Sequence, residues 1–303
     1  MIGLLRSETL RIRSRRLVWI LAVLALAGIA LGVVIAAVKS HPPSATEVAL
    51  ARRAYLVDLR GCLQGQVSPD SLNGKTVSQF CHDAISPAEA LARTTFALAK
   101  LPDILRGTAF LLIVLGLVIG ASSTGADWQT GSMTTLLTWE PRRARVLVMR
   151  TTAVGATVFL LIVALSLALS LLLWLVAATR GTTVGTDSVW LKHVAGLILR
   201  IAIMGGLGAI LGLSISMIGR GTAAALGAIF VYLAVLETLF RSLVPKLTPY
   251  LFATNTVVFV DGHAGSPATA TVITMTRATI TVFAYAAALL FAAWVFFRSR
   301  DVS

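Results

Sequence analysis

Six stretches of the chain are apolar almost without interruption: about 17–38, 108–126, 151–178, 199–218, 221–239 and 278–297. A helix needs ~20 mainly apolar residues to cross ~30 Å of hydrocarbon, so each stretch is long enough to span a bilayer. Their interiors are Leu, Ala, Val, Ile and Gly, without the alternation of a transmembrane barrel strand. The pattern predicts an all-α, polytopic integral membrane protein with six transmembrane helices, and the even number puts both termini on one side. The first apolar stretch exceeds the ~7–15 residues of a signal-peptide core and reads as an uncleaved span.

Helix signals also appear between the spans. In the long loop 39–107, Ser44 followed by Glu47 has the spacing of a capping box, and Val48 to Leu59 reads as an amphipathic helix. Ser86, Pro87 and Glu89 fit the N-cap, N1 and N3 positions of a second helix. A polar stretch from Gln64 to Gln79, containing Pro69 and Gly74, separates the two. A helical hairpin is expected. In the segment 240–277, Leu251, Phe252, Val257, Val258 and Phe259 form an apolar run between Pro245 and Asp261. That run is too short to span. It either dips into the interface as a short or re-entrant helix, or packs against neighbouring spans.

Composition agrees with the pattern. The 303 residues are 57% hydrophobic and 13% charged, with a mean hydropathy of +0.86. A water-soluble globule cannot bury such a surplus of apolar surface. The formal net charge of +13 does not form a nucleic-acid-reading surface, because the basic residues punctuate the ends of the spans. Arg6, Arg11, Arg13, Arg15 and Arg16 precede the first. Arg142, Arg143, Arg145 and Arg150 lie between the second and third, Arg220 between the fourth and fifth, and Arg298 and Arg300 after the sixth. The positive-inside rule then puts both termini in the cytoplasm. Nucleic acid is not an expected partner; membrane lipid is.

Candidate chemistry is sparse. Cys62 and Cys81 are the only cysteines, and topology sets both outside the cytoplasm, where disulfides persist. A bridge between them closes a loop of roughly 20 residues and contributes ~3 kcal/mol. The alternatives are two unpaired thiols, or a metal pair with His82 that lacks further ligands nearby. Arg200 and Glu237 are the charges that fall within spans, both near the outer ends. They either pair in an outer vestibule or snorkel separately. No acidic residue lies at mid-membrane, which argues against a proton- or sodium-driven carrier. His41, His82, His193 and His263 are far apart, and no metal motif or nucleophile elbow is present. Gly74, Lys75 and Thr76 imitate the end of a phosphate loop, but Pro69 stands where its first glycine belongs. No catalytic residue, metal site or cofactor site is expected in this chain.

Three spans carry Gly-x-x-x-Gly: Gly28 and Gly32, Gly116 and Gly120, Gly208 and Gly212. Such spacings bring helix backbones together, either within the chain or between subunits.

The segment from Gly125 to Arg145 is the most informative. An acidic residue opens it, a short amphipathic turn follows, and a Pro-Arg-Arg turn closes it. On physics alone it is a helix lying at the membrane surface. Asp127, Gly131, Ser132, Leu136, Leu137, Pro141 and Arg142 form a pattern that resembles the ABC-2 class of ABC transporter permeases. Family members more often have Glu where Asp127 stands. The six-span layout, the basic N-terminus and the apolar segment before span 6 are similar too. In motif the resemblance covers about 20 residues; in architecture it covers the whole chain, 1–303, as one permease domain of the type V exporter kind.

The resemblance implies a mechanism and a set of partners. Residues 127–145 would be the coupling helix contacting a separate ABC ATPase, with Asp127, Glu140 and Arg142 as its polar candidates. Residues 2–16 would be an amphipathic connecting helix at the inner interface. ATP and Mg would be bound by two copies of the ATPase, not by this chain. A second permease subunit, identical or different, would complete the pathway. The chain would sit in the bacterial cytoplasmic membrane and export a lipophilic or amphipathic compound, such as a drug, antibiotic, peptide or lipid. Two other classes compete. A membrane-embedded enzyme acting on lipid would need polar residues converging at one depth. A non-transporting scaffold or sensor would have no ATPase partner.

Overall fold

The computed structural model describes residues 2–65, 76–85, 96–139, 142–262 and 273–299. Among them the chain is helical, and its one β-type contact is an isolated parallel bridge between Ala97 and Thr182. We number the helices α1 (Ile2–Arg13), α2 (Arg16–Lys39), α3 (Ala45–Gln64), α4 (Val77–Ala84), α5 (Leu101–Gln129) and α6 (Ser132–Trp139). After these come α7 (Arg143–Arg180), α8 (Ser188–Gly219), α9 (Thr222–Phe230), α10 (Glu237–Leu243), α11 (Phe252–Asp261) and α12 (Met275–Ser299). A π-helical turn, Val231–Leu236, joins α9 to α10.

Six helical segments are long and apolar enough to cross a membrane: Arg16–Lys39, Leu98–Gln129, Arg143–Arg180, Ser188–Gly219, Thr222–Leu243 and Met275–Ser299. The protein is a multi-pass membrane protein. Each segment matches one predicted apolar stretch to within a residue and extends past it at one or both ends. α7 is the extreme case: its 38 residues rise about 57 Å, nearly twice the hydrocarbon thickness. Hydropathy marks only the part that needs lipid, whereas the hydrogen-bond ladder runs on into polar sequence.

The chain divides into two compact units. One comprises residues 25–105 and 166–196. Here Ser44 caps α3: its hydroxyl accepts from the Glu47 N–H at 3.3 Å, while the Ser44 N–H donates to the Glu47 carboxylate at 2.7 Å. α4 has its own capping box, between Thr76 and Gln79. That helix therefore begins inside the stretch expected to be a polar connection, a correction traceable to an unnoticed Thr-x-x-Gln spacing. A disulfide joins Cys62 of α3 to Cys81 of α4. The helix expected from Ser86 onward lies outside the described residues. α2 has no buried residue, and a Cβ at Gly28 or Gly32 would meet nothing within 4 Å.

The other unit comprises residues 1–24, 106–165 and 197–303. The remaining glycine pairs lie together here. A Cβ on Gly116 would strike the Gly205 carbonyl, one on Gly120 the Ala209 backbone, and one on Gly212 the Leu117 carbonyl. α5 and α8 thus cross backbone to backbone inside one chain. α11 packs against α12, burying Leu251, Phe252, Val258 and Phe259, while Val257 is exposed. The apolar run thus forms a short helix packed against the last span.

Candidate functional site

The densest polar constellation surrounds Asp127, near the C-terminal end of α5. Its carboxylate is 4% exposed. One oxygen accepts from Arg15 at 2.6 Å and faces Arg11 at 3.3 Å. The other pairs with Arg150 of α7, a side chain only 1% exposed. Glu8 of α1, itself buried, lies 3.8 Å from Arg11 and 3.8 Å from Arg150. Three guanidiniums thus face two carboxylates, leaving one net positive charge. Burial lowers the pKa of Arg15 from its ordinary value, with Arg11 acting in the same direction and Glu8 against it. An arginine stays charged through such a shift.

Backbone geometry at the end of α5 makes this arrangement possible. Gly131 takes a left-handed conformation (φ 67°), ending one helix so that α6 can begin at Ser132. Arg11 then donates to the Ser132 hydroxyl at 3.0 Å, and Arg150 reaches the buried Met133 sulfur at 3.6 Å. Arg15 donates a second bond to the Ser122 carbonyl at 2.8 Å. The first turn of α6 is therefore bound to α1 and to α7.

Further elements reach the same junction. The Arg220 guanidinium lies 5.2 Å from the centre of the Trp128 ring, and Trp128 meets Phe297 edge-on at 6.5 Å. Arg143 donates to the Phe297 carbonyl at 2.8 Å. A Cβ on Gly125 would collide with Thr222. Residues 125–133 are thus fixed by α1, by α7, by the turn between α8 and α9, and by α12.

The motif residues divide accordingly. Asp127, expected as an outward polar contact, is turned into the chain, with an arginine against each carboxylate oxygen. Its partners stand 112 positions before it (Arg15) and on the next long helix, near the start of α7 (Arg150), so no local spacing could reveal them. Gly131 forms the hinge of the turn. Leu136 and Leu137 lie on α6, and Arg142 is exposed at the start of α7. Glu140 and Pro141 fall outside the described residues.

The other sequence candidates are held separately. Glu237 is 2% exposed, accepts from the N–H groups of Ala253 (2.8 Å) and Thr254 (3.3 Å), and pairs with Arg241 at 3.6 Å. It caps the N-terminus of α11 from a distance. Arg200 lies against Gly262 at the other end of α11, where Arg106 and Asp261 form an ion pair at 3.4 Å. Of the alternatives for Arg200 and Glu237, a direct pair is not formed: they stand in two clusters, one at each end of α11. Among the described residues no His, Cys, Asp and Glu group has the makings of a metal site.

No family model and no curated protein matches this chain.

Proposed function

We propose that this chain is the permease subunit of an ABC exporter of the ABC-2 class, working with a separate ATP-hydrolysing subunit. The observation that carries the reading is the Asp127 junction. A short helix stands between the second and third spans, and its first turn is bonded to the N-terminal helix and the third span. That is what a transmission element requires. A push on α6 passes through Ser132 to Arg11, and through Asp127 to Arg15 and Arg150. It cannot be absorbed locally, because each contact is buried or backed by a charge.

On this reading the exposed Arg142 and the neighbouring Glu140 meet the ATPase, while Asp127 works behind them as a positioning residue. Two ATPase copies bind ATP and Mg, and a second permease subunit completes the pathway. Six spans with few fixed charges suit a lipophilic or amphipathic cargo, moved out of the cytoplasm or inner leaflet.

The test is co-purification. The tagged chain, extracted in mild detergent, should carry a stoichiometric soluble ATPase that is lost in the Glu140→Ala, Arg142→Ala double variant. Recovery of an intact six-span chain with no ATPase under any mild extraction condition would sink the proposal.

A further inference from the structure

Away from the Asp127 junction, the same unit contains an apolar cavity of about 500 Å³. Its walls include Ile215 of α8, Leu233 of the π-helical turn and Leu289 of α12, with the rings of Tyr232, Phe252 and Tyr285. Volume and lining both match small-molecule sites, which are mostly apolar and carry a few placed polar groups. Here those groups are two phenols. The Tyr285 hydroxyl donates to the Tyr250 carbonyl at 3.1 Å. Phe252 meets Tyr285 edge to face, with centroids 5.8 Å apart.

This wall is held in shape from several sides. Tyr232 and Leu233 sit on a π-helical turn, a departure from the α ladder that concentrates at functional sites. Phe252 begins α11, whose N-terminus is held by the Glu237 carboxylate through Ala253 and Thr254. Arg277 lies 4.6 Å from the centre of the Tyr250 ring, steadying the residue that receives the Tyr285 hydroxyl. The cavity lining contains no charged side chain. Glu237, five positions beyond Tyr232, already serves the α11 amides. A charged guest would lose its solvation without gaining a counter-charge.

We propose that this cavity binds a neutral, aromatic lipophilic small molecule, stacked against Phe252, Tyr232 and Tyr285 and accepting a hydrogen bond from the Tyr232 hydroxyl. A bilayer acyl chain would use the apolar wall alone. It has no need of convergent rings, and it cannot use a phenol hydroxyl. The site goes beyond the permease reading and does not depend on it, since binding requires neither ATP nor a partner.

Benzophenone is a suitable probe: it is neutral and aromatic, has a carbonyl for the Tyr232 hydroxyl, and photo-crosslinks to C–H bonds. With the whole chain in lipid nanodiscs, saturable labelling is expected on peptides carrying Leu233 and Leu289. Ala228→Trp, which fills the cavity, should reduce that labelling at least fivefold. Tyr232→Phe keeps the ring and removes one hydroxyl. It should raise the half-saturating concentration roughly three- to tenfold, the effect of one lost hydrogen bond. Labelling that does not saturate and spreads over lipid-facing helices such as α2 would mean that bilayer lipid fills the groove, and would overturn the proposal. So would saturable labelling elsewhere, or a half-saturating concentration unmoved by Tyr232→Phe. Because no ATPase is present, failure here leaves the co-purification result untouched.

Discussion

Asp127→Asn tests the junction directly. The substitution conserves shape and removes one negative charge, so three guanidiniums are left facing Glu8 alone and the net charge rises from one to two. Arg11 and Arg15 can partly escape, because their side chains are 32% and 18% exposed. Arg150 cannot: it is 1% exposed, and its remaining carboxylate stands 3.8 Å away. Removing one partner of a buried pair costs about 3–5 kcal/mol. With two of the three cations able to reach water, the expected loss is near the lower end, about 3 kcal/mol. Arg150→Met in the same background returns the net charge to one and removes the stranded cation. The double variant should therefore recover part of the loss, with a coupling of roughly 1–2 kcal/mol. The assay is equilibrium unfolding in mixed micelles for the parent, both single variants and the double. If Asp127→Asn costs less than about 1 kcal/mol, the cluster behaves as an exposed pair and the reasoning fails. Strict additivity of the two substitutions would refute the pairing just as firmly.

Two further predictions follow from local geometry. The Glu47 carboxyl is held down to about 2 from its ordinary 4.5, first by the His41 hydrogen bond and then by the Ser44 backbone and hydroxyl. Its folded value lies below its unfolded one, so the α3 cap is fully effective above about pH 4.5 and is lost as pH falls toward 2; an NMR titration of Glu47, assigned with Glu47→Gln, should show that low midpoint, and a midpoint near 4.5 would remove the cap from the argument. Gly120→Leu should prevent stable folding or cost at least ~3 kcal/mol by driving a side chain into the Ala209 backbone, while Gly28→Leu on the open face of α2 should leave thermal stability unchanged.

Much of the fold was legible because lipid imposes a simple rule. A span must be apolar for ~20 residues, and six stretches obeyed it. Short-range chemistry was legible as well: the Ser44–Glu47 cap and the two cysteines are encoded in composition and spacing. Its limits were also short-range. Thr76 and Gln79 carry the same capping signal as Ser44 and Glu47, but they sat in a stretch whose Pro69 and Gly74 suggested a connection. Extensions of the spans were missed because hydropathy is silent about helix that lies outside lipid, as at both ends of α7.

The candidate site was legible only as a motif. Asp127 stood out as the acidic start of a patterned segment, and an acidic residue beside an amphipathic turn reads as a surface contact. Its burial depends on arginines contributed by α1 and α7, and charge counting had assigned those arginines another task. Arg11, Arg15 and Arg150 belong to the basic set that the positive-inside rule reads as an orientation signal. The same side chains neutralise Asp127 and Glu8 in the folded protein. The two readings are compatible, because the junction keeps one net positive charge, and because acidic residues contribute little to an orientation signal. A sequence count registers the sign of these residues and not their partners. The distinction matters for function: an arginine that only orients the chain tolerates Lys, whereas Arg150 must fit a carboxylate and the Met133 sulfur in a site closed to water.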